Sequence, residues 1–265
     1  MFISLSNAVA LLGLVATATA TYIPHHVEYN NTVVGIQKRE FSCSSPVKGL
    51  AKADCQHMSN IGMAGQGYNP TAQSSSNKIW IGTQGPNKFK FINRSSPSCP
   101  IVVIVWQMTS TTDYQSSFVN VRRPRISYTL AKAGDSVTVS MANGVSGGWA
   151  GLYNRNTKLS GIGQVYNTWG EFTTGQYGTV DVSRLVRMDG NPMSIKTGGG
   201  CTSNMSKCVF VCKKGNTCGT SKSYDLKDCK PGSQPGATYG MYDGNPTGGC
   251  QGFSNGGSIT IDLSR

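Results

Sequence analysis

The stretch KFKFINRSSPSCPIVVIVW, residues 88–106, places two strand patterns in close succession. Apolar and polar residues alternate in residues 88–92 (KFKFI), which is typical of a strand with one buried face. Residues 101–106 (IVVIVW) are apolar at every position and predict a continuous apolar strand. Alternation returns in residues 137–141 (VTVSM), and residues 258–263 (SITIDL) predict a last strand at the end of the chain.

Turn residues separate these strands. Glycine accounts for 33 of 265 residues, and turn signals occur at Gly134-Asp135, Asn143-Gly144 and Asn191-Pro192. No long segment has the 3.6-residue period of an amphipathic helix. Short strands with glycine turns predict an all-β protein, built as an antiparallel β-sandwich or barrel.

The amino-terminal residues indicate secretion. Residues 1–20 contain an apolar run that ends in Ala18-Thr19-Ala20, as in a secretory signal peptide. Residues 21–39 end in the dibasic pair Lys38-Arg39, which predicts a propeptide; an ordinary surface pair in a flexible terminus is the alternative. No later stretch approaches the ~20 apolar residues of a membrane span. We therefore expect a secreted protein, extracellular or associated with a cell wall, with no membrane span.

The chain is strongly basic, with a formal net charge of +12. For a secreted protein this charge favours acidic cell-wall polymers or an anionic membrane surface over nucleic acid, so we predict no nucleic-acid partner. Local clusters occur only at residues 121–125 (VRRPR) and 207–214. Elsewhere the charges are scattered, which is typical of a surface that serves solubility.

Nine cysteines follow the predicted propeptide, and a secreted protein is expected to oxidise them into four disulfides with one thiol left over. Their pairing is open. They are Cys43, Cys55, Cys99, Cys201, Cys208, Cys212, Cys218, Cys229 and Cys250. There is no C-x-x-C spacing, and His57 is the only histidine beyond the propeptide, so we predict neither a metal site nor a cofactor. The histidine count also argues against Ser-His-Asp and Cys-His catalysis and leaves carboxylate chemistry, or none.

Two regions differ in composition from the strand-rich part. Residues 40–85 are rich in Ser, Gln, Asn and Gly and predict an extension laid on the sheet, with a helix at about residues 53–63 and a small loop that Cys43 and Cys55 could close. Residues 201–250 carry six of the nine cysteines. They predict a disulfide-rich subdomain made of loops, which needs little apolar core of its own.

Acidic residues are concentrated in residues 169–201 of a chain that has few of them. Glu171, Asp181 and Asp189 lie there, with Trp169 and Tyr177 close to the first. A carboxylate beside aromatic rings suits sugar binding or acid–base chemistry. It suits a salt bridge at a sheet edge equally well, and Asp181 and Asp189 also precede good turn sequences.

The order of several segments resembles that of thaumatin-like proteins. The matching segments are residues 89–96 with the strand that ends at Trp106, then 134–139 (GDSVTV), 148–155 (GWAGLYNR), 171–172 (EF), 176–178 (QYG), 180–183 (VDVS), 189–193 (DGNPM) with Cys201, 237–250 (ATYGMYDGNPTGGC) and 256–263. The resemblance identifies residues 86–265 as a thaumatin-like domain of a small, divergent, secreted member. It implies a β-sandwich that includes the disulfide-rich subdomain at residues 201–250.

Thaumatin-like proteins have an acidic cleft facing that subdomain, built from one Arg, one Glu and three Asp. Glu171, Asp181 and Asp189 match three of these positions, whereas the Arg falls at Gly151 and the third Asp at about Gly236. The resemblance thus implies a ligand site that includes Glu171, Asp181 and Asp189. We add to the predicted ligand residues Trp169 and Tyr177, which lie close to Glu171 in the sequence, and Asp243, an acid near the position of the missing Asp. For hydrolysis, Glu171 would act as the acid, paired with Asp189 or Asp181.

Many members of the family are linked to β-1,3-glucan binding, weak glucanase activity or antifungal action. We therefore expect a protein that binds β-1,3-glucan or another cell-wall polysaccharide, with weak or no glucanase activity. The alternative is a secreted effector, or an antimicrobial or toxin-like protein, that uses the sandwich as a scaffold to bind a host or target-cell surface protein. Of three N-x-S/T sequons, Asn30 leaves with the propeptide, and Asn93 and Asn204 are predicted glycosylation sites.

Overall fold

The structure is a computed structural model that describes residues 41–110 and 113–265. The predicted signal peptide, the dibasic site and Asn30 lie outside these residues. Within them no helix is both long and apolar enough to cross a membrane. The described part of the chain is nearly all β, which confirms the predicted fold class.

Besides one short 3₁₀-helix (Tyr114–Ser117), one α-helix and fifteen strands make up the regular structure of the described residues. They are α1 (Lys52–Asn60), β1 (Ile79–Ile81), β2 (Asn87–Asn93), β3 (Ile101–Met108), β4 (Ile126–Leu130), β5 (Ser136–Met141), β6 (Ser146–Tyr153), β7 (Trp169–Thr173), β8 (Thr179–Ser183), β9 (Met193–Thr197), β10 (Thr202–Asn204), β11 (Val209–Cys212), β12 (Tyr224–Lys227), β13 (Ala237–Tyr242), β14 (Asn245–Cys250) and β15 (Gly257–Leu263).

The strands form two sheets in a sandwich-like arrangement. The first sheet has the order β1-β5-β2-β15-β9-β10, and the second has the order β12-β11-β8-β7-β6-β3-β4. The hairpin β13–β14 joins the second sheet where Cys250 lies opposite Val180. Both sheets are mixed rather than wholly antiparallel, because β15 runs parallel to β2 and β11 runs parallel to β8.

The apolar run in β3 is explained by burial on both faces. Ile101, Val103 and Val105 lie in the core between the sheets, whereas Val102, Ile104 and Trp106 belong to a second apolar cluster on the outer face of the second sheet. That second cluster includes Cys55, Met58 and Met63, from α1 and the residues that follow it. A strand covered on both sides reads as a continuous apolar run, since neither set of alternating side chains reaches water.

Polar contacts fasten α1 to the second sheet. The buried carboxylate of Asp54 accepts hydrogen bonds from Arg155 Nε at 2.7 Å and from Thr129 Oγ1 at 2.9 Å. His57 Nε2 donates to the carbonyl of Thr157 at 2.8 Å. His57 is therefore a half-buried structural residue on a helix, rather than a surface residue in an irregular segment.

Four disulfides form, as predicted, and the buried Cys99 is the free thiol. Cys43–Cys55 ties the start of the described chain to α1, and three bonds lie within residues 201–250. Those three are Cys201–Cys250, Cys208–Cys229 and Cys212–Cys218. The prediction that this region consists of loops is wrong, because it contains β10 to β14, whose backbone groups pair with one another and with β8 and β9.

Candidate functional site

The β7–β8 hairpin brings two of the predicted acids together. Glu171 on β7 lies directly opposite Asp181 on β8. Phe172 belongs to the core between the sheets, and Trp169 belongs to the outer cluster. Because successive side chains of a strand point to opposite faces, Glu171 shares the outer face of the second sheet with Trp169, and Asp181 faces the same way.

Burial sets the electrostatics of this acid pair, Glu171 and Asp181. Glu171 is 8% exposed and Asp181 is 6% exposed. Burial raises the pKa of Asp181 well above its ordinary value, and the adjacent carboxyl of Glu171 raises it further. Asp181 Oδ1 has no hydrogen-bond partner among the residues that the structure describes. The pair therefore favours holding a proton on Asp181, whose neutral carboxyl can both donate and accept a hydrogen bond.

Glycines flank the acid pair on both sides. Gly148 lies opposite Glu171 on β6, and the ring of Trp106 covers it, since a Cβ there would lie 2.6 Å from Trp106 Cζ2. On the other side, a Cβ added to Gly249 of β14 would lie 3.2 Å from the Cβ of Asp181. The pair thus sits between an indole ring and the backbone of the β13–β14 hairpin.

Asp189 does not join the acid pair. It lies in the connection between β8 and β9, where its carboxylate accepts hydrogen bonds from Arg187 Nε and from Asn216 Nδ2, both at 2.9 Å. The hydrogen bond from Arg187, followed by that from Asn216, lowers the pKa of Asp189 to about 2. Asp189 is therefore an exposed carboxylate in an ion pair, which matches the salt-bridge alternative for the acids of this stretch. It is not the second carboxyl that a glycosidase would pair with Glu171.

The other predicted ligand residues are also dispersed. Trp169 is 5% exposed, donates from Nε1 to the carbonyl of Val165 at 2.8 Å and packs edge-on against Trp106 at 4.7 Å between ring centroids. Its ring is not available to stack on a sugar, which corrects that prediction. Tyr177 is half-buried in the turn between β7 and β8. Asp243 is exposed in the two-residue turn of the β13–β14 hairpin, where it and Gly244 have φ of 49° and 74°, as a type I′ turn requires.

Gly151 and Gly236, which stand where the thaumatin-like pattern has its Arg and third Asp, supply no charge beside the acid pair. A Cβ on Gly151 would lie 2.5 Å from Tyr153 Cε2 and 3.2 Å from Ile101 Cγ2, so this position faces the core between the sheets. Gly236 has φ of 71°, in the left-handed region that favours glycine. Two charged residues near these positions in the sequence have other partners: Arg155 binds Asp54, and Asp225 pairs with Lys213.

The candidate metal ligands and glycosylation sites differ in how far their side chains are free to react. Within residues 41–110 and 113–265, one group of three metal-type ligands occurs, Cys201, Cys208 and Cys250, and all three are in disulfides, so none offers a thiolate. Asn93 is fully buried, and its Nδ2 donates to the carbonyls of Cys99 and Leu130. This leaves no room for a glycan on Asn93, whereas glycosylation of the partly exposed Asn204 stays a prediction.

The sequence alone did not indicate Trp106 and Gly148 as neighbours of the acid pair. Their position follows from strand register, because Trp106 lies opposite Gly148 and Gly148 lies opposite Glu171. This neighbourhood can be inferred only when the strand order β3-β6-β7-β8 is known. The chain matches no model of a known protein family and no curated protein.

Proposed function

We propose that this protein is a secreted, thaumatin-like polysaccharide-binding protein that holds a β-1,3-glucan chain at the acid pair, Glu171 and Asp181. The observation that carries the proposal is the placement of these carboxyls directly opposite each other on the outer face of the second sheet. With one proton shared, the pair presents both a donor and strong acceptors to sugar hydroxyls. Hydrogen bonds that involve a charged group are the stronger ones, at about 1.5–3 kcal/mol net.

The same geometry supports binding with weak or no hydrolysis. Facing cross-strand residues have Cβ atoms ~4.5–5.5 Å apart, which suits the ~5 Å carboxyl separation of a retaining glycosidase. In that chemistry Asp181, whose pKa is raised, would be the acid and Glu171 the nucleophile, the reverse of the role predicted for Glu171. Both side chains are more than nine-tenths buried, so the pair offers only its edge to a sugar hydroxyl and leaves no room for a sugar ring between the two carboxyls, which argues against hydrolysis.

Secretion is part of the proposal and draws on the cysteines. Four disulfides within one chain are compatible with an oxidising, extracellular environment. The predicted signal peptide and dibasic site agree with that location. Amino-terminal sequencing of the exported protein would show whether the mature chain begins after Arg39.

Retention on insoluble β-1,3-glucan tests the binding function. We expect Glu171→Gln to weaken retention about tenfold, and the double variant Glu171→Gln/Asp181→Asn at least as much, because a charged acceptor is lost. Asp189→Asn is the matched control, since it also removes one carboxylate but acts at the Arg187 ion pair. Its retention should stay within about twofold of the unmodified protein.

Equal retention of all variants, or no retention of the unmodified protein, would overturn the proposed site. Release of reducing sugar from the same glucan then separates binding from hydrolysis. Turnover that disappears in Glu171→Gln would establish a glucanase, whereas retention without turnover supports a binding protein.

One observation favours the effector or antimicrobial alternative. The β13–β14 hairpin exposes Tyr239, Met241 and Tyr242 at 39%, 58% and 59%, an apolar strip of the kind that docks against a partner. Cells stripped of wall glucan offer a test. Binding that survives Glu171→Gln but is lost in Tyr239→Ser/Met241→Ser would favour a cell-surface protein as the ligand.

A further inference from the structure

A second surface feature, separate from the acid pair, is a cleft of about 440 Å³ at the end of β3. Its lining combines three arginines of the VRRPR segment with two aromatic rings and one amide: Arg122, Arg123, Arg125, Tyr68, Trp106 and Gln107. The function proposed above uses none of the three arginines.

Two of the guanidinium groups are held in place over one ring. Arg123 Cζ lies 4.4 Å from the centroid of Tyr68, and Arg125 Cζ lies 5.7 Å from it. Arg123 also donates from Nε to the carbonyl of Gln66 at 2.8 Å. These contacts fix the planar groups in advance, so binding an anion costs little side-chain entropy.

The charge in the cleft is only partly balanced. Arg122 forms an ion pair with Asp113, which neutralises one of the three arginines. Within residues 41–110 and 113–265, neither Arg123 nor Arg125 forms an ion pair with a carboxylate, so this part of the chain gives the cleft an excess positive charge. Two fixed guanidinium groups suit carboxylate, sulfate or phosphate oxygens.

Gln107 gives an independent indication of a ligand. Gln107 lines this cleft, and its Oε1 is buried with no hydrogen-bond partner among the described residues. A buried amide oxygen without a partner is unfavourable and calls for a donor from outside the chain. A simple anion supplies no donor, whereas a sugar hydroxyl does.

We propose that this arginine cleft binds an acidic polysaccharide, a polymer of uronic acid residues. The carboxylates of the polymer would meet Arg123 and Arg125, and a ring hydroxyl would donate to Gln107 Oε1. A polyuronate combines both groups at every residue, which favours it over a phosphodiester backbone or a lipid surface as the occupant. Trp106 borders both sites, but the arginines and Gln107 are not part of the acid pair, so variants of these residues test the cleft independently of Glu171 and Asp181.

Binding to soluble polygalacturonate, measured by titration calorimetry at low and at moderate salt, tests the proposal. We expect Arg123→Gln/Arg125→Gln to weaken binding about tenfold or more, since each variant side chain loses a charge-assisted hydrogen bond to a carboxylate of the polymer. Lys196→Gln/Lys227→Gln is the control, because it removes the same charge from two exposed residues of β9 and β12. It should change the affinity less than about twofold.

Gln107→Leu distinguishes a built site from diffuse attraction, because it leaves the net charge unchanged. We expect it to weaken polygalacturonate binding several-fold, whereas Glu171→Gln should leave that binding intact. Thermal unfolding of each variant checks that the fold is retained. Vesicles containing phosphatidylserine and duplex DNA serve as the competing anionic probes.

Three results would overturn the proposal. Absence of polygalacturonate binding would do so directly. Equal weakening by the arginine and lysine double variants would show that only overall charge matters. Vesicle or DNA binding that depends on Arg123 and Arg125 and exceeds polygalacturonate binding would identify a different occupant.

Discussion

Asp181 and Asp189 show how surroundings, rather than residue type, decide what a carboxyl can do. Asp181 is buried opposite another acid, and its pKa is raised. Asp189 is exposed to solvent beside Arg187, and its pKa is lowered to about 2. In the sequence the two look alike, since each precedes residues that are common in turns. Only the first has the chemistry that a sugar site would use.

The raised pKa of Asp181 predicts that the folded protein loses stability as pH rises. A folded-state pKa above the unfolded value of 3.8 means that the contribution to stability is present below that value and is lost as pH rises through the folded pKa. Asp181→Asn fixes the neutral state. The free energy of unfolding of the variant minus that of the unmodified protein should therefore be larger near neutral pH than at about pH 4.

Urea unfolding of both proteins at the two pH values measures this difference. Asp189→Asn is the control without a pH effect, because the lowered pKa of Asp189 places the loss of its ion pair between pH 3.8 and about 2, below both measured values. An Asp181→Asn variant whose relative stability fell as pH rose would be incompatible with a protonated Asp181.

Among the elements, α1 depends on one buried carboxylate. Asp54 is 1% exposed and bonds to both Arg155 and Thr129. We expect Asp54→Ala to lower the free energy of unfolding by about 1–3 kcal/mol, because the hydrogen bonds that Thr129 and Arg155 donate to a buried, charged carboxylate are lost. The half-exposed Arg155 is screened by solvent and keeps the loss below that of a fully buried ion pair.

Chemical unfolding measures this loss, with Lys52→Ala as the control at an exposed position of the same helix. Equal stability of the two variants would show that the Asp54 carboxylate adds nothing to the contacts that hold α1 against the sheet.

Local pattern was sufficient to find many elements but not their pairing. Alternation at residues 88–92 and 137–141 and the apolar run at 101–106 correspond to β2, β5 and β3, and the predicted helix at residues 53–63 is α1. The parallel pairing of β15 with β2 joins strands from opposite ends of the described chain, and such a long-range contact leaves no local signal. The strands within residues 201–250 were missed because cysteine and glycine content indicates loops there.

For the whole molecule, the disulfides should differ in their contribution according to the chain they enclose. Cys201–Cys250 spans a sequence separation of 49, whereas Cys212–Cys218 spans only 6. The chain-entropy estimate gives about 4 kcal/mol for the first and about 2 kcal/mol for the second. Cys201→Ala/Cys250→Ala should therefore lower the unfolding midpoint more than Cys212→Ala/Cys218→Ala does in thermal denaturation. The reverse order would mean that local strain or residual structure outweighs loop closure.

The sequence predicted only part of the candidate site, because some of its contacts join residues that are far apart in the chain. Glu171 and Asp181 meet because a short turn joins β7 and β8, a neighbour relation that the sequence order suggests. Asp189 is separated because residues 184–192 leave the sheet before β9, and Arg187 and Asn216 hold it there. The burial of Trp169 depends on Trp106, from a strand two places away in the sheet. Such contacts are set by the packing of the whole molecule.

The proposed function requires Glu171 and Asp181 to form one proton-sharing pair that binds a β-1,3-linked saccharide. Titration of the Asp181 carboxyl carbon by NMR, without and with a β-1,3-glucan oligosaccharide, tests it most directly. We predict a titration midpoint above the ordinary 3.8 and movement of both carboxyl resonances when the oligosaccharide is added. A midpoint at or below 3.8, or resonances of Asp181 and Glu171 that saturating oligosaccharide leaves unmoved, would contradict the account.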